Sequence, residues 1–335
     1  MNDKNPMVSC VITTHNRCEL CKRAFFSIIN QTYSNIEIII VDDASTDDTY
    51  QWGSKLSETN TKYFYITPNE SKGNNYARNL GIGNAKGEYI AFLDDDDYWE
   101  KTKIEKQIQV VKNNDQMAMV YTGIIADYGC DLYNYKKLPK KNICGDLLEK
   151  KMYLWPYFNT SQIMVKKQIL EKVGKFDEKL KYWQEYELFL RIMQVTKVGF
   201  VNEPLVFIDR RIGEGNRLTN KFENWIDAVC YINEKHAELF KKLSIEEQDL
   251  RKEYFYKEAA YRAFLNEGKS KMIYYYKKAY KINPKLEYLV RICFRLSRKD
   301  TLLIEAFIMK FKYWIELLKQ NLLCKEYKIY KLQKN

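Results

Sequence analysis

Several features of targeted, membrane-spanning or repetitive chains are missing from this sequence of 335 residues. Glycine (13) and proline (6) are sparse, which excludes a collagen-like or linker-dominated chain. No apolar run approaches the roughly 18 residues that a membrane-spanning helix needs. The opening residues MNDKNPMVSC lack the pattern of a secretory signal, and the eight cysteines are too dilute for a disulfide framework. We therefore expect a protein of the reducing cytoplasm.

The hydrophobic content is, by contrast, ample for a packed interior. It reaches 46% of all residues, which excludes global disorder. The length also exceeds the size at which a single core usually stops growing. We therefore expect two or three structural units.

The net charge of +11 is unevenly distributed along the chain. Residues 269–335 carry 17 Lys and Arg against 5 Asp and Glu, whereas the first 268 residues carry 38 against 39. A protein that binds nucleic acid through its body needs a basic face there. The nearly neutral body argues against a nucleic-acid partner, and the basic tail needs its own explanation.

An apolar stripe at helical spacing lies inside this basic tail. Its members are Ile304, Phe307, Phe311, Trp314, Ile315, Leu318 and Leu322, with lysines at intervening positions. A basic amphipathic helix of this kind can rest peripherally on an anionic membrane surface. The stripe can equally pack on the preceding part of the chain or on a second subunit of a homo-oligomer. Both interpretations stay open.

Strands and helices alternate through the first part of the chain. Apolar runs without helical period predict buried strands in VSCVITT, NIEIIIVDD, KYFYIT and EYIAFL. Amphipathic segments such as CELCKRAFFSIINQTY and NNYARNLG predict helices between them. This order predicts an α/β fold with a mostly parallel sheet covered on both faces. From about residue 219, helical periodicity takes over.

Polar residues follow these strands at their carboxyl ends, where ligands bind in sheets of this kind. They are the segment Thr13 to Arg17, the pair Asp42 and Asp43, and the run Asp94 to Asp97. Four adjacent carboxylates repel one another in a buried site without a cation. Hard oxygen ligands suit Mg²⁺ or Mn²⁺, and Mg²⁺ usually joins one or two carboxylates to substrate phosphates. The sequence therefore indicates a phosphorylated ligand such as a nucleotide.

Five segments, in this order, resemble the inverting glycosyltransferases of family 2 with a GT-A fold. They are VSCVITTHNR, IVDDASTD, YARNLG, FLDDDD and QEYELFLR, and the likeness covers about residues 6–215. It implies transfer of a sugar from a nucleotide donor to a glycan or lipid-linked acceptor in bacterial polysaccharide synthesis, with Mn²⁺ or Mg²⁺. It also implies a nucleotide-sugar-binding half (1–100), an acceptor-binding half (101–218) and a helical C-terminal region (219–335).

The resemblance implies roles for residues of the donor half. The nucleotide-binding candidates are Thr13, His15, Asn16, Arg17, Asp43, Arg78, Asp94 and Asp95. Asp43 matches the acid that reads the uracil ring, which favours a UDP-sugar. Asp94 and Asp96 match the D-x-D motif, with Asp96 as the direct metal ligand and Asp94 nearer to ribose and metal-bound water. The run of four acids leaves this register open by one residue.

The family's catalytic base lies in an acidic pair, usually Glu-Asp, at the start of a helix reading x-x-L-x-L-R. Gln184 and Glu185 precede that pattern here, so the resemblance gives Glu185 the role of the base. Glu187 is interpreted as a structural acid that pairs with Arg191 at i,i+4. Candidates for contacts with the acceptor or the diphosphate are Trp155, Asn159, Thr160 and Arg211. For Trp155, sugar stacking and core packing both stay open.

Other classes of protein are less compatible with the sequence. A nucleotidyltransferase needs a Gly-rich phosphate loop, and a dinucleotide-binding dehydrogenase needs G-x-G-x-x-G where this chain has TTHNR. A degenerate GT-A protein acting as a binding or assembly module stays the alternative. Cys18 and Cys21 beside His15 suggest zinc or redox chemistry, but without a second pair we favour incidental thiols on a helix surface.

Overall fold

The computed structural model of the protein describes residues 5–58, 61–127, 135–139, 144–149, 158–210 and 222–294. These residues fall into two compact units. The described residues up to 210 group with Glu223–Ser244, and the described residues from Ile245 onward form the second unit together with Phe222.

The first unit contains the sheet. Its strands are β1 (Val8–Thr14), β2 (Ile36–Asp43), β3 (Thr61–Ile66), β4 (Tyr89–Asp94), β5 (Asp97–Trp99), β6 (Met117–Asp127), β7 (Tyr135–Lys137), β8 (Ile163–Lys166) and β9 (Lys197–Asp209). The helices up to residue 240 are α1 (Cys18–Ile29), α2 (Thr49–Ser54), α3 (Asn74–Asn84), α4 (Lys103–Asn113), α5 (Lys167–Val173), α6 (Gln184–Ile192), α7 (Phe222–Lys235) and α8 (Ala237–Phe240). Short 3₁₀ turns lie at Lys55–Glu58 and Thr160–Gln162.

Within the described ranges, nine strands form one sheet in the order β3-β2-β1-β4-β8-β6-β9-β5, with β7 paired on β6. The first four strands of this order are parallel, and β9 is parallel to β6. Strand β8 runs antiparallel between β4 and β6, and β5 runs antiparallel to β9. Because parallel strands need crossover connections, helices cover the sheet. The predicted α/β class is confirmed.

Helix α1 packs on the sheet through a face rotated from the predicted one. Helical spacing in the sequence predicts Leu20, Ala24, Ile28 and Ile29 as the packed positions, but the side chain of Ile29 is exposed. The buried face consists of Cys18, Cys21, Ala24, Phe25 and Ile28. The rotation arises because both thiols pack as small hydrophobic groups.

The interpretation of Cys18 and Cys21 as thiols on a helix surface is therefore wrong. Both side chains are buried, and Cys21 has no exposed surface. Burial raises the pKa of each thiol, since the charged thiolate loses its hydration. A raised pKa is the opposite of what a reactive or metal-binding thiolate requires. The two side chains serve the core.

The second unit is helical, as predicted for the C-terminal extension. It comprises α9 (Ile245–Glu267), α10 (Lys269–Ile282) and α11 (Leu286–Phe294). Gly268 separates α9 from α10 with φ +86°, a backbone conformation that favours glycine. The core of this unit consists of Ala260, Met272, Tyr276, Ala279 and Tyr288. Helix α10 ends before Pro284, as its sequence indicates.

The structure addresses one of the two expectations about membranes, the one that concerns membrane-spanning helices. None of the helices in the described part of the chain is long and apolar enough to cross a bilayer. The apolar stripe of the basic tail lies outside the described residues, which end at position 294.

Candidate active site

The predicted donor-binding residues meet at the carboxyl edge of the sheet. Thr14 pairs in register with Asp42 on β2, and Thr13 pairs with Asp94 on β4. The Thr13 hydroxyl donates to Asn74 Oδ1 at the start of α3, at 2.6 Å. Three strand ends and one helix start therefore surround the same point, as expected for a ligand site in a parallel sheet.

The loop after β1 is fixed to the loop after β2 by short hydrogen bonds. His15 Nδ1 donates to the backbone carbonyl of Asp43 at 2.5 Å. The Asn16 N–H donates to Ser45 Oγ at 2.8 Å, and the Thr46 N–H donates to Asn16 Oδ1 at 2.6 Å. Asn16 has φ +53°, a left-handed conformation that asparagine tolerates better than most residues. The two loops form one rigid rim.

Asp42 and Asp43 have different surroundings although they are adjacent. Asp42 has no exposed surface and accepts hydrogen bonds from the Tyr63 hydroxyl (2.5 Å) and the Ser45 N–H (2.9 Å). It therefore orients the turn. In Asp43, by contrast, Oδ1 is buried without a hydrogen-bond partner in the described structure. A buried acceptor without a partner requires an explanation, and a ligand N–H provides one.

Arg78 is not a surface residue of its helix. Its side chain is buried, its guanidinium donates to Asp94 Oδ1 at 2.7 Å, and it lies over the Phe176 ring. The Asp94 carboxylate remains 31% exposed. Arg78 therefore presents Asp94 at the edge of the site while neutralising part of its charge.

The run of four acids does not form a single loop. Strand β4 ends at Asp94, Asp95 and Asp96 make a turn, and Asp97 begins β5. Asp95 points inward, where it accepts hydrogen bonds from Thr14 (2.9 Å) and Arg17 (3.0 Å). Burial raises the pKa of Asp95 to about 6, although Arg17 opposes the change.

Asp97 is also buried, and it lies beside the 3₁₀ turn Thr160–Gln162. The Ser161 hydroxyl donates to Asp97 Oδ2 at 2.6 Å and accepts the Asp94 N–H at 3.1 Å. Burial, and then the charges of Asp96 and Asp94, raise the pKa of Asp97 well above its usual range. Ser161 therefore joins the two ends of the acidic run to the 3₁₀ turn Thr160–Gln162.

Asp94 and Asp96 are thus the carboxylates of the run that reach the surface of the site. The Asp96 side chain is 23% exposed, and Arg17 lies 3.3 Å from its Oδ2. No group of three or more potential metal ligands is assembled among the described residues. Two partly exposed carboxylates nevertheless fit the mode in which Mg²⁺ or Mn²⁺ binds one or two protein oxygens together with substrate phosphates.

Arg23, which is not among the residues predicted from the sequence, stabilises this turn. Arg23 of α1 donates to the backbone carbonyl of Asp96 at 2.7 Å and to Asp209 Oδ2 at 2.6 Å. It also lies over the ring of Tyr98, whose hydroxyl donates to Asp127 Oδ2 at 2.9 Å. The turn at Asp95 and Asp96 is thereby tied to the ends of β6 and β9. The sequence contained part of this information, because Asp127 and Asp209 each end an apolar strand.

The predicted acceptor residues Asn159 and Thr160 lie at the 3₁₀ turn, and the predicted base Glu185 lies at the start of α6. Asn159 caps the turn, and Thr160 is buried within it. Glu185 lies in the first turn of α6, half-buried. Asn159 and Glu185 line the same small, largely apolar cavity. Trp155 and Arg211 lie outside the described residues.

Comparison with solved structures defines the class of fold. Residues of S. aureus TarS (1–349) in complex with UDP-GlcNAc superpose with a TM-score of 0.58 at 18% identity, covering 87% of this chain and 79% of TarS. The mannosyltransferase PcManGT of Pyrobaculum calidifontis, in complex with GDP-Man and Mn²⁺, gives 0.58 at 16% identity, covering 93% and 84%. The protein has the GT-A fold, as predicted.

Sequence comparison then gives the family. The profile of Glycosyl transferase family 2 matches residues 9–174. The UDP-Glc:alpha-D-GlcNAc-diphosphoundecaprenol beta-1,3-glucosyltransferase WfaP of Escherichia coli is 32% identical over 222 residues, which are 66% of this chain and 83% of WfaP. The chain belongs to glycosyltransferase family 2.

The curated relatives extend beyond the matched region. An uncharacterized glycosyltransferase of Rickettsia typhi is 33% identical over 214 residues, which are 61% of this chain. The match spans 64% of that relative, which is less than two thirds of its length.

Proposed function

We propose that the protein is a metal-dependent inverting hexosyl- or N-acetylhexosaminyltransferase. It moves a sugar from a UDP-sugar to a hydroxyl of a glycan or lipid-linked acceptor in bacterial surface-polysaccharide synthesis. One observation carries this proposal: Asp43 Oδ1, a buried acceptor without a partner among the described residues, shares one edge of the sheet with the partly exposed carboxylates of Asp94 and Asp96. The printed activity of WfaP, on UDP-Glc and a diphosphoundecaprenol-linked sugar, supports the same classes of donor and acceptor.

The donor proposal rests on the chemistry of the rim. Uracil carries a ring N–H, which the Asp43 carboxylate can accept, whereas cytosine presents an acceptor at the same ring position. A buried acceptor left without a donor is costly, so the site discriminates against cytidine nucleotides. Thr13, His15 and Asn16 lie at the same rim and provide the remaining nucleoside contacts. Arg17 and Arg78 lie toward the diphosphate.

Asp96, assisted by Asp94, would hold the divalent cation. Bound Mn²⁺ or Mg²⁺ would neutralise negative charge on the departing diphosphate. The chain prepares this site by keeping both carboxylates partly exposed and by balancing them with Arg17 and Arg78.

The Glu185 carboxylate acts as the general base. It takes the proton from the acceptor hydroxyl, whose oxygen forms a bond to the anomeric carbon from the face opposite the nucleotide. The bond between that carbon and the diphosphate oxygen breaks, and UDP leaves with the electron pair. Direct displacement inverts the configuration at the anomeric carbon. Asn159 shares the cavity of Glu185 and contributes to the acceptor side.

A lipid-linked acceptor would bring the enzyme to the inner face of the cell membrane. The 17 basic residues within positions 269–335 support a peripheral contact with an anionic surface there. The tail therefore indicates where the enzyme works rather than a nucleic-acid partner.

Replacing Asp43 with Asn tests the donor proposal. The substitution removes a charge-assisted hydrogen bond to uracil, so UDP affinity should fall by about 1.5–3 kcal/mol, or roughly ten- to a hundredfold. Isothermal titration with UDP, GDP and CDP in the presence of Mn²⁺ measures the change. Asp48→Asn is the matched control, since Asp48 is exposed at the start of α2. Unchanged UDP affinity in Asp43→Asn would reject Asp43 as the uracil-reading group.

A further inference from the structure

We propose that helix α7 holds the first turn of α6 in its active position, with Trp225, Lys235 and His236 as positioning residues for Glu185. The inference rests on the proposed function, in which Glu185 is the general base. It adds a part of the chain that the resemblance leaves without any role, since α7 begins beyond residue 215.

The first contact between α7 and α6 lies at Trp183, directly before α6 begins. Trp183 has φ +53° and ψ +34°, a left-handed conformation that a bulky side chain rarely adopts. Such strained residues persist only where the surroundings hold them. The ring of Trp225 from α7 meets the Trp183 ring edge-on, with centroids 5.4 Å apart, and Tyr186 packs on it from the helix itself. Trp225 is fully buried.

The second point of contact lies two residues after Glu185. Glu187 has no exposed surface, and its carboxylate accepts hydrogen bonds from Arg191 (2.5 Å), Lys235 (2.8 Å) and His236 (3.0 Å). Burial opposes its ionisation, but hydrogen bonds from His236 and Arg191 lower the pKa of Glu187 to about 2. A buried charge requires its partners, and two of these three come from the end of α7 and the residue that follows it.

A third contact extends this arrangement toward the donor site. Asp177 accepts hydrogen bonds from the Tyr231 hydroxyl (2.8 Å) and from Lys235 (2.5 Å). Its backbone carbonyl accepts the side-chain amide of Asn75 at 2.7 Å. Asn75 lies in the first turn of α3, the helix that carries Arg78. Lys235 therefore connects the turn of the proposed base with the helix of the proposed diphosphate contact.

Together these contacts fix the backbone on both sides of Glu185. The residue before the first turn is held by Trp225, and Glu187 is held by Lys235 and His236. A carboxylate that must take a proton from an acceptor hydroxyl works only within hydrogen-bonding distance of it. Moving the Glu185 carboxylate by about 1 Å should therefore lower the rate strongly. Loosening α7 should therefore slow the chemical step without removing any group that touches the substrates.

The test separates positioning from donor binding. UDP-glucose and UDP-N-acetylglucosamine serve as probes with the full-length chain, UDP release gives kcat, and titration gives the UDP dissociation constant. For Lys235→Met and Trp225→Phe we expect kcat to fall at least roughly tenfold, with UDP affinity within about threefold of wild type. Lys235→Arg, which keeps a cation for Glu187, should restore most of the rate.

Lys241→Met is the matched control, since Lys241 is exposed and pairs only with the exposed Glu238 in the described structure. Circular dichroism at the assay temperature verifies that each variant is folded. Two results overturn the inference: kcat within about twofold of wild type in both folded variants, or an equal loss in Lys241→Met. The proposed function is tested separately by Glu185→Gln. An inactive Glu185→Gln beside a fully active Lys235→Met would reject only the role of α7.

Discussion

Glu185→Gln should abolish sugar transfer while leaving the UDP-sugar bound almost as tightly as in the wild type. The amide cannot take a proton from the acceptor hydroxyl, and general base catalysis contributes about 10²- to 10⁴-fold to such reactions. Because the substitution preserves the size of the side chain in its small cavity, α6 should retain its position. Steady-state UDP release measures the loss, and titration with UDP verifies binding.

Glu171→Gln is the control for this variant. Glu171 is exposed on α5, and its ion pair with Lys167 has a separation of 3.6 Å, so its removal should change turnover by less than about twofold. Near-normal turnover in Glu185→Gln would show that another group takes the proton. Loss of UDP binding together with turnover would indicate a structural role instead.

Asp96→Asn should produce the second large effect. The amide is a poor ligand for a hard divalent cation, and stabilisation of a departing diphosphate by such a cation is worth several kcal/mol. We therefore expect kcat to fall at least about a hundredfold, since each 1.36 kcal/mol is tenfold in rate. Binding of Mn²⁺ in the presence of UDP, followed by electron paramagnetic resonance, should weaken in parallel.

The same series resolves the register of the D-x-D motif. Asp95 and Asp97 are buried and engaged by Thr14, Arg17 and Ser161, whereas Asp96 reaches the surface of the site. Asp115→Asn, at an exposed position before β6, should leave Mn²⁺ binding unchanged. If Asp95→Asn abolished Mn²⁺ binding and Asp96→Asn did not, the ligand assignment would be shifted by one residue.

The strand and helix order was predictable because its signals are local. A strand such as VSCVITT, buried at all seven positions, appears in the sequence as an unbroken apolar and small-residue run. The acids and polar loops at the strand ends were equally visible. Parallel packing then brings them together at one edge, which places Thr13, Asp43 and Asp94 correctly from chain order alone.

Other features were not predictable because their partners are distant in the chain. Arg23 and Asp209 are 186 residues apart, and no local pattern joins a helix arginine to a strand end so far along the sequence. Strand β5 consists of three residues and exists because β9 pairs with it. Pairing with β9 therefore draws Asp97 into the sheet and separates it from the other acids of the run.

The contacts of α7 show the same limit. Helical periodicity predicted the helix, but not that its Lys235 and His236 would pair with the buried Glu187 of α6. The i,i+4 pair of Glu187 and Arg191 was predicted correctly, since both residues lie on one helix. Whether a helix acid has one partner or three depends on tertiary packing.

The most direct test of the proposed activity is release of UDP from a panel of UDP-sugars, measured with and without Mn²⁺ or Mg²⁺. GDP- and dTDP-sugars complete the panel. We predict metal-dependent UDP release from at least one UDP-sugar, lost on chelation and lost in Glu185→Gln. Binding of UDP-sugars without any turnover, with or without a lipid-linked acceptor, would contradict it and would indicate a degenerate GT-A protein that serves as a binding module.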